Sequence, residues 1–244
     1  MSQRLDSLWF AIAVLIAWQL FHYVAGEDAI ASPWATLVKT WTLLASGGFW
    51  QHVMATLQAF VWAALIAIGA GLVIGLVLGM SRLAGEVAEP ILNALYAIPK
   101  ITLYPVILLI FGLGLPAKVA FGAIHGIFPV IILTMNGVRS ISPVIRKTAR
   151  AMRLSQVETM RTVLFPAALP EIFSGMRIGF ALTLLGTLIG ELFASNRGLG
   201  FLLLRSAEQH DVAGAMALAL LLFVVAAAIG AVLLAIDRRL HHIA

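Results

Sequence analysis

The chain has 244 residues and no cysteine, which excludes a disulfide framework and any thiolate centre for metal binding or catalysis. Charge is scarce: Asp, Glu, Lys and Arg together make up 11% of the residues. A Gly-rich phosphate loop ending in GKS or GKT is missing, so the chain carries no recognisable ATPase of its own. HExxH is missing as well, which removes the helical signature of a zinc protease. No shift of composition and no long linker marks a second domain. What is present is 61% hydrophobic, with a mean hydropathy of +1.02. No soluble domain of this length buries so much apolar surface, so the chain reads as an all-α integral membrane protein. Its net charge of +5 collects at the ends of apolar runs, which is how membrane topology is encoded and needs no nucleic-acid partner.

Apolar runs with few charges predict six transmembrane helices, at about residues 8–25, 53–80, 98–117, 119–138, 175–193 and 212–236. Leu8 to Ala25 is read as a retained first helix rather than a cleaved signal peptide. Gly26 to Gln51 carries Trp34, Trp41 and Trp50 and is expected at the membrane–water boundary. Ser81 to Glu89 is expected to be a short loop. In the second span Gly71, Gly75 and Gly79 recur every fourth residue, a spacing that lets two helices approach closely. Gly175 with Gly179, and Gly186 with Gly190, repeat that spacing in the fifth. Pro99, Pro105 and Pro116 predict a kink or a broken entry near Ile98-Pro99 in the third.

One long polar stretch, Arg139 to Arg177, separates the fourth span from the fifth. Before its prolines it holds six cations against one anion, Glu158. Its middle is predicted to be a helix opened by Ser142-Pro143 and closed by Phe165-Pro166. Ala149, Met152, Gln156, Met160 and Val163 fall on one face at helical spacing. Arg146, Arg150, Arg153 and Arg161 fall on a neighbouring face. Taken alone, such a segment is a basic loop that sets orientation, or a helix lying on anionic lipid. With the N-terminus in the cytosol, six spans leave eleven Lys and Arg inside against four outside, Lys100 apart. That asymmetry places both termini and the central helix in the cytosol.

TARAMRLS followed by VLFPAALPEIFSGMRIG resembles the cytoplasmic coupling loop, or EAA loop, of permease subunits in binding-protein-dependent ABC importers, in particular the nitrate, sulfonate and taurine type. Ala149, the spacing from Arg153 to Pro166, Ala168 to Pro170, Gly175 and Arg177 carry the likeness. SPWATLVKTWTLLASGGFWQH and the Gly198-Leu199-Gly200 turn extend it, so that it covers most of the chain. Lys147 stands in place of the motif's Glu, Thr148 of an Ala, Arg153 of the Gly and Phe165 of a Leu. The resemblance implies a coupling helix between spans four and five, with Ala149, Arg150, Ala151, Met152, Arg153, Leu154, Ser155 and Gln156 meeting the ATPase. It also implies two cytosolic ATPase subunits that bind ATP and Mg, no cofactor on this chain, and an extracytoplasmic solute-binding protein. The expected location is the bacterial inner membrane, and the expected cargo a small anion such as a sulfonate, nitrate or an aromatic acid. A chain too short for two membrane halves is expected to pair with a second copy of itself.

Four polar residues inside the spans are candidates for a translocation pathway: Lys100, His125, Asn136 and Glu191. Ionisable groups in a membrane are functional hypotheses by default. Each also has a plainer reading. Lys100 can snorkel to headgroups, His125 and Asn136 can hydrogen-bond between helices, and Glu191 can reach solvent at the outer end of its span. Two other classes compete. An ion-gradient-driven transporter or channel needs paired buried charges, where the spans offer scattered ones. An intramembrane serine protease needs a Ser–His pair, for which Ser174, Ser195 and His125 are the available residues.

Overall fold

The computed structural model describes residues 2–193 and 195–241, apart from the side chains at 2–5, 7, 8, 146, 150, 156 and 238–241. The described residues are helical throughout, with no strand. The helices are α1 (Ser2–Ala25), α2 (Pro33–Ala45), α3 (Gly47–Met80), α4 (Arg82–Ala97), α5 (Tyr104–Phe111), α6 (Leu115–Ser140), α7 (Pro143–Ala151), α8 (Gln156–Thr159), α9 (Phe165–Phe193), α10 (Leu199–Glu208) and α11 (Val212–His241). Four are long and apolar enough to cross a membrane: α3, α6, the run Val157–Phe193 that contains α9, and α11.

Small residues decide how these helices pack. A Cβ added at Gly71, Gly75 or Gly79 of α3 would lie 2.7, 2.7 and 2.8 Å from the Cβ atoms of Val130, Thr134 and Val138 on α6. The glycine spacing therefore marks a helix–helix contact, as expected. Residue numbers rise together along that contact, so α3 and α6 run parallel. Against α9 they run oppositely: Gly122 and Gly126 of α6 face Thr187 and Thr183, and Gly137 faces Glu171. Phe60 and Phe180 meet edge to face at 4.6 Å, joining α3 to α9.

The parallel register has a topological consequence. Between the end of α3 and the start of α6 the chain must return across the bilayer. It does so through α4 and the unit Lys100–Phe111, which are bent from each other by 83°. By length and composition this bent pair qualifies as a fifth span, in place of the single run expected at 98–117. Pro99 starts a 3₁₀ turn, Lys100–Leu103, α5 ends at Gly112 (φ +69°), and α6 starts after Gly114 (φ +108°). The residues expected as a loop, Ser81 to Glu89, instead begin α4, capped by Ser81 Oγ accepting from Ala84 N–H at 3.3 Å. Four or five spans are thus supported by length and composition; α1 has a shorter apolar run, Trp9–Ala25. It is fastened to the segment before α2, where Trp18 Nε1 donates to the Ala31 carbonyl at 3.0 Å. The last residues of the expected interfacial piece, Gly47 to Gln51, belong to α3.

The central helix also differs from expectation. α7 opens at Pro143, as predicted, but stops at Ala151. Arg153 has φ +53°, and Leu154 N–H donates to the Ala149 carbonyl at 3.2 Å. This six-to-one bond around a left-handed residue is a Schellman stop, the position glycine fills most readily. A new start follows at once. Ser155 N–H donates to Glu158 Oε2 at 2.8 Å, and Glu158 N–H donates to Ser155 Oγ at 3.2 Å, which is a capping box. Pro166 does not end a helix, because a π turn over Met160–Leu164 precedes it. There Phe165 N–H reaches back to the Met160 carbonyl, which takes up the offset that a proline imposes on the ladder. The chain then runs on as α9.

Candidate functional site

Two regions stand out at opposite ends of the bundle. At the basic end, α7, the Met152–Ser155 turn and α8 form a short helical hairpin beneath α6 and α9. The residues flanking it form a buried cluster of Val138, Ile141, Leu164, Ala168 and Ile172, with Met160 packed against them. Ala149 is buried, 2% exposed. The predicted stripe is therefore split. Ala149 and Met160 turn inward, while Met152 is 67% exposed, together with Val144 at 68% and Val157 at 76%. Lys147, Ala151, Arg153, Ser155 and Arg161 are exposed and Leu154 is half-buried. The side chains of Arg150 and Gln156, both predicted coupling residues, lie outside the described residues, as does that of Arg146. The surface offered to a partner is an apolar patch among cations. Glu158 is the one anion in this segment, and one of its carboxylate oxygens accepts from the Ser155 N–H.

Arg139 is withdrawn from that surface. Its Nη1 pairs with Glu89 Oε2 at 2.6 Å, tying α4 to the end of α6. Arg177 lies 3.6 Å from Asp237, which also accepts from Ser174 Oγ at 3.2 Å.

At the opposite end, Glu191 is fully buried, 0% exposed, which corrects the expectation that it reaches solvent. Thr56 Oγ1 on α3 donates to its carboxylate at 2.8 Å, and the Gly200 N–H of α10 donates at 3.0 Å. Lys118 Nζ on α6 stands 3.6 Å away and donates to the Arg197 carbonyl at 2.7 Å. Leu199 N–H donates to Thr56 Oγ1 at 2.8 Å, and Gly198 N–H to His52 Nδ1 at 3.1 Å. The His52 ring stacks on Phe201 at 5.8 Å between centroids. One carboxylate on α9 thus caps α10 and binds α3 and α6, while Lys118 and His52 hold the 195–198 turn. Gly198 has φ +131°, and a Cβ there would collide with the Glu191 carboxylate. Thr56, His52 and Lys118 carried no recognisable signal in the sequence; the Gly198-Leu199-Gly200 turn did.

The other pathway candidates lie between these ends. Lys100, half-buried, sits at the break between α4 and α5. Its Nζ donates to the Tyr96 carbonyl at 2.8 Å and lies 4.7 Å from the centre of the Tyr96 ring and 5.4 Å from that of Phe128. His125, one turn from Phe128 on α6, donates from Nδ1 to the Phe121 carbonyl at 2.9 Å and packs against Gly186. Asn136 is half-buried further along α6. Neither serine proposed for a protease pair is joined to His125 among the described hydrogen bonds: Ser174 bonds Asp237, and Ser195 bonds the Arg197 carbonyl. Nor do the described residues gather three His, Asp or Glu side chains into a metal site.

The sequence and the fold have counterparts in known proteins. A permease protein of Escherichia coli K12 named for putative aliphatic sulfonates transport, SsuC, is 31% identical over 213 residues, covering 84% of this chain and 80% of its own. The riboflavin transport system permease protein RibX of Chloroflexus aurantiacus is 33% identical over 192 residues, covering 78% of this chain and 72% of its own. A solved inward-facing structure of the MetNI methionine ABC transporter has a chain that superposes with a TM-score of 0.62 at 20% identity, covering 81% of this chain and 96% of that one. That likeness supports the helical fold alone. Residues 67–242 match the family described as "Binding-protein-dependent transport system inner membrane component". The match takes in α6, the hairpin, α9 and most of the Glu191 network, so the chain belongs to the family of ABC importer permeases served by solute-binding proteins.

Proposed function

We propose that this chain is the membrane subunit of an ATP-driven importer, acting as a homodimer on two cytosolic ATPase subunits and receiving solute from an extracytoplasmic binding protein. The observation that carries this reading is the hairpin at the basic end: Met152, Val144 and Val157 are exposed on the segment that joins α6 to α9 in the chain. A surface built this way takes a partner on one side and moves two spans on the other. ATP and Mg belong to the ATPase subunits, and this chain contributes no catalytic group and binds no cofactor. With the bent pair and α1 each counted as a crossing the topology has six, and the charge count favours both termini and the basic end in the cytosol.

Closure of the ATPase pair would press on the exposed face of the hairpin. The flanking Val138–Ile172 cluster would pass that displacement to α6 and α9, since close-packed interiors move as rigid pieces. Pathways in transporters are commonly built where a helix is broken. The break at Ile98–Leu103, with Lys100 beside it, is such a place, and a partly exposed cation there favours an anionic solute. Asn136 and His125 are assigned to the same pathway. Glu191 is assigned to holding the helices together. The sulfonate permease supports a small organic or inorganic anion as cargo. The riboflavin permease, of similar identity, leaves the solute open, and we assign its selection to the binding protein.

The test is purification of the tagged chain from its native host in mild detergent, with mass spectrometry and an ATPase assay. Equal recovery of a P-loop ATPase and hydrolysis by the complex are expected. Met152→Asp should then abolish solute uptake while leaving the chain folded. A chain that purifies alone and transports only down an ion gradient would replace this reading with that of a secondary transporter.

A further inference from the structure

Arg153 occupies backbone that disfavours it. Its φ of +53° is left-handed, where a side chain with a Cβ is strained and glycine is at ease. The Leu154–Ala149 hydrogen bond explains why the backbone turns here, not why the residue is arginine. The side chain is exposed, and among the described residues it takes part in no ion pair or hydrogen bond. Left-handed backbone at a residue other than glycine is a pointer to function, and a guanidinium with no partner among the described residues is available to one outside the chain.

Its surroundings indicate what it meets. Arg153 stands at the tip between α7 and α8, next to Met152, with Val157 four residues on and both of these strongly exposed. Lys147 and Arg161 are exposed on the same hairpin. The one carboxylate of the segment, Glu158, accepts from the Ser155 amide at 2.8 Å. The tip is therefore an apolar patch whose exposed cations, Lys147, Arg153 and Arg161, outnumber its single acid.

Resting on the importer reading, we propose that Arg153 selects the ATPase partner: it fits a carboxylate on the rim of the ATPase cleft that receives Met152 and Val157. A planar guanidinium binds a carboxylate with two parallel hydrogen bonds, a fit that lysine does not reproduce. A chain with glycine at this position would lack the contact, and an ATPase without the acid would be a poorer match for this permease.

The experiment uses the ATPase subunit that copurifies with the wild-type chain, returned to the permease in nanodiscs. Arg153→Gly removes both strain and charge. It is expected to melt at the same temperature as wild type or higher, to bind the ATPase about tenfold more weakly, and to show a shallower dependence of affinity on salt. Arg153→Lys is expected to keep the salt dependence and recover only part of the affinity. Equal affinity and equal salt slope for Arg153→Gly and wild type overturn the proposal while leaving the importer reading intact. A lower melting temperature for Arg153→Gly overturns it too, because the side chain would then serve the fold. So does a loss confined to phosphatidylglycerol vesicles with ATPase binding unchanged, which assigns the tip to lipid. Failure of the wild-type chain to recover any P-loop ATPase overturns the importer reading and this proposal together.

Discussion

Replacing Glu191 with alanine tests the polar knot directly. The substitution leaves Lys118, 6% exposed in its side chain, buried without its carboxylate. It also takes an acceptor from Thr56 and from the Gly200 amide. Breaking a buried pair by removing one partner costs about 3–5 kcal/mol. For a chain of this length each kcal/mol is worth about 2–4 °C, so melting should fall by about 6–20 °C. The six tryptophans provide the signal, since a chain without cysteine does not react with thiol dyes. Adding Lys118→Met to Glu191→Ala should restore part of the loss, because the stranded charge goes with it. Glu191→Gln should fall between, retaining an acceptor for Gly200 and Thr56 but no charge for Lys118. A change under about 2 °C for Glu191→Ala, on that same scale, or a double variant no more stable than the single, would refute the argument that this pairing holds the four elements.

Three further outcomes are expected. Gly126→Ala would set a methyl group against Thr183 Oγ1 and 2.7 Å from the Gly179 carbonyl; it should destabilise by about 1–3 kcal/mol and raise trypsin sensitivity, while Gly69→Ala, with nothing within 4 Å, should not. Asp211 pairs with Lys39 at 2.8 Å and accepts from Gly214 N–H at 2.9 Å, and Lys39 above all holds its carboxyl below the ordinary aspartate range. The stabilisation is therefore complete above about pH 4 and is lost as pH falls through the lowered value, so melting curves from pH 7 downward should show a flatter acid limb for Asp211→Asn than for wild type. Lys100→Met should lower the rate of anion uptake in proteoliposomes with the ATPase rate retained; an unchanged uptake rate would remove Lys100 from the pathway.

Much of the membrane architecture was legible because it depends on composition over long windows. The uncharged run within α3 and the one that forms α11 are spans by length alone, and Gly71, Gly75 and Gly79 announce a close helix contact by spacing. The run at 98–117 misled for the same reason. Hydropathy averages over Pro99, Gly112 and Gly114 without registering that the backbone turns at each. The hairpin was misread as one helix because its apolar residues keep helical spacing across Arg153, whereas the capping box of Ser155 and Glu158 was a readable start signal that the periodicity masked. Glu191 was noticed as a charge in an apolar run, but its role depended on residues 135 positions away in the chain.

By itself the sequence determined that this is a helical membrane protein, where its basic segment lies, and which family motif it carries, since these follow from local composition and short spacing. The tertiary structure decided the parallel register of α3 and α6, and with it the crossing by the bent pair. It also decided which hairpin residues are exposed and what Glu191 holds. These depend on contacts between segments far apart in the chain, where the fit of a glycine against a side chain, or of a carboxylate among three helices, is a matter of ångströms.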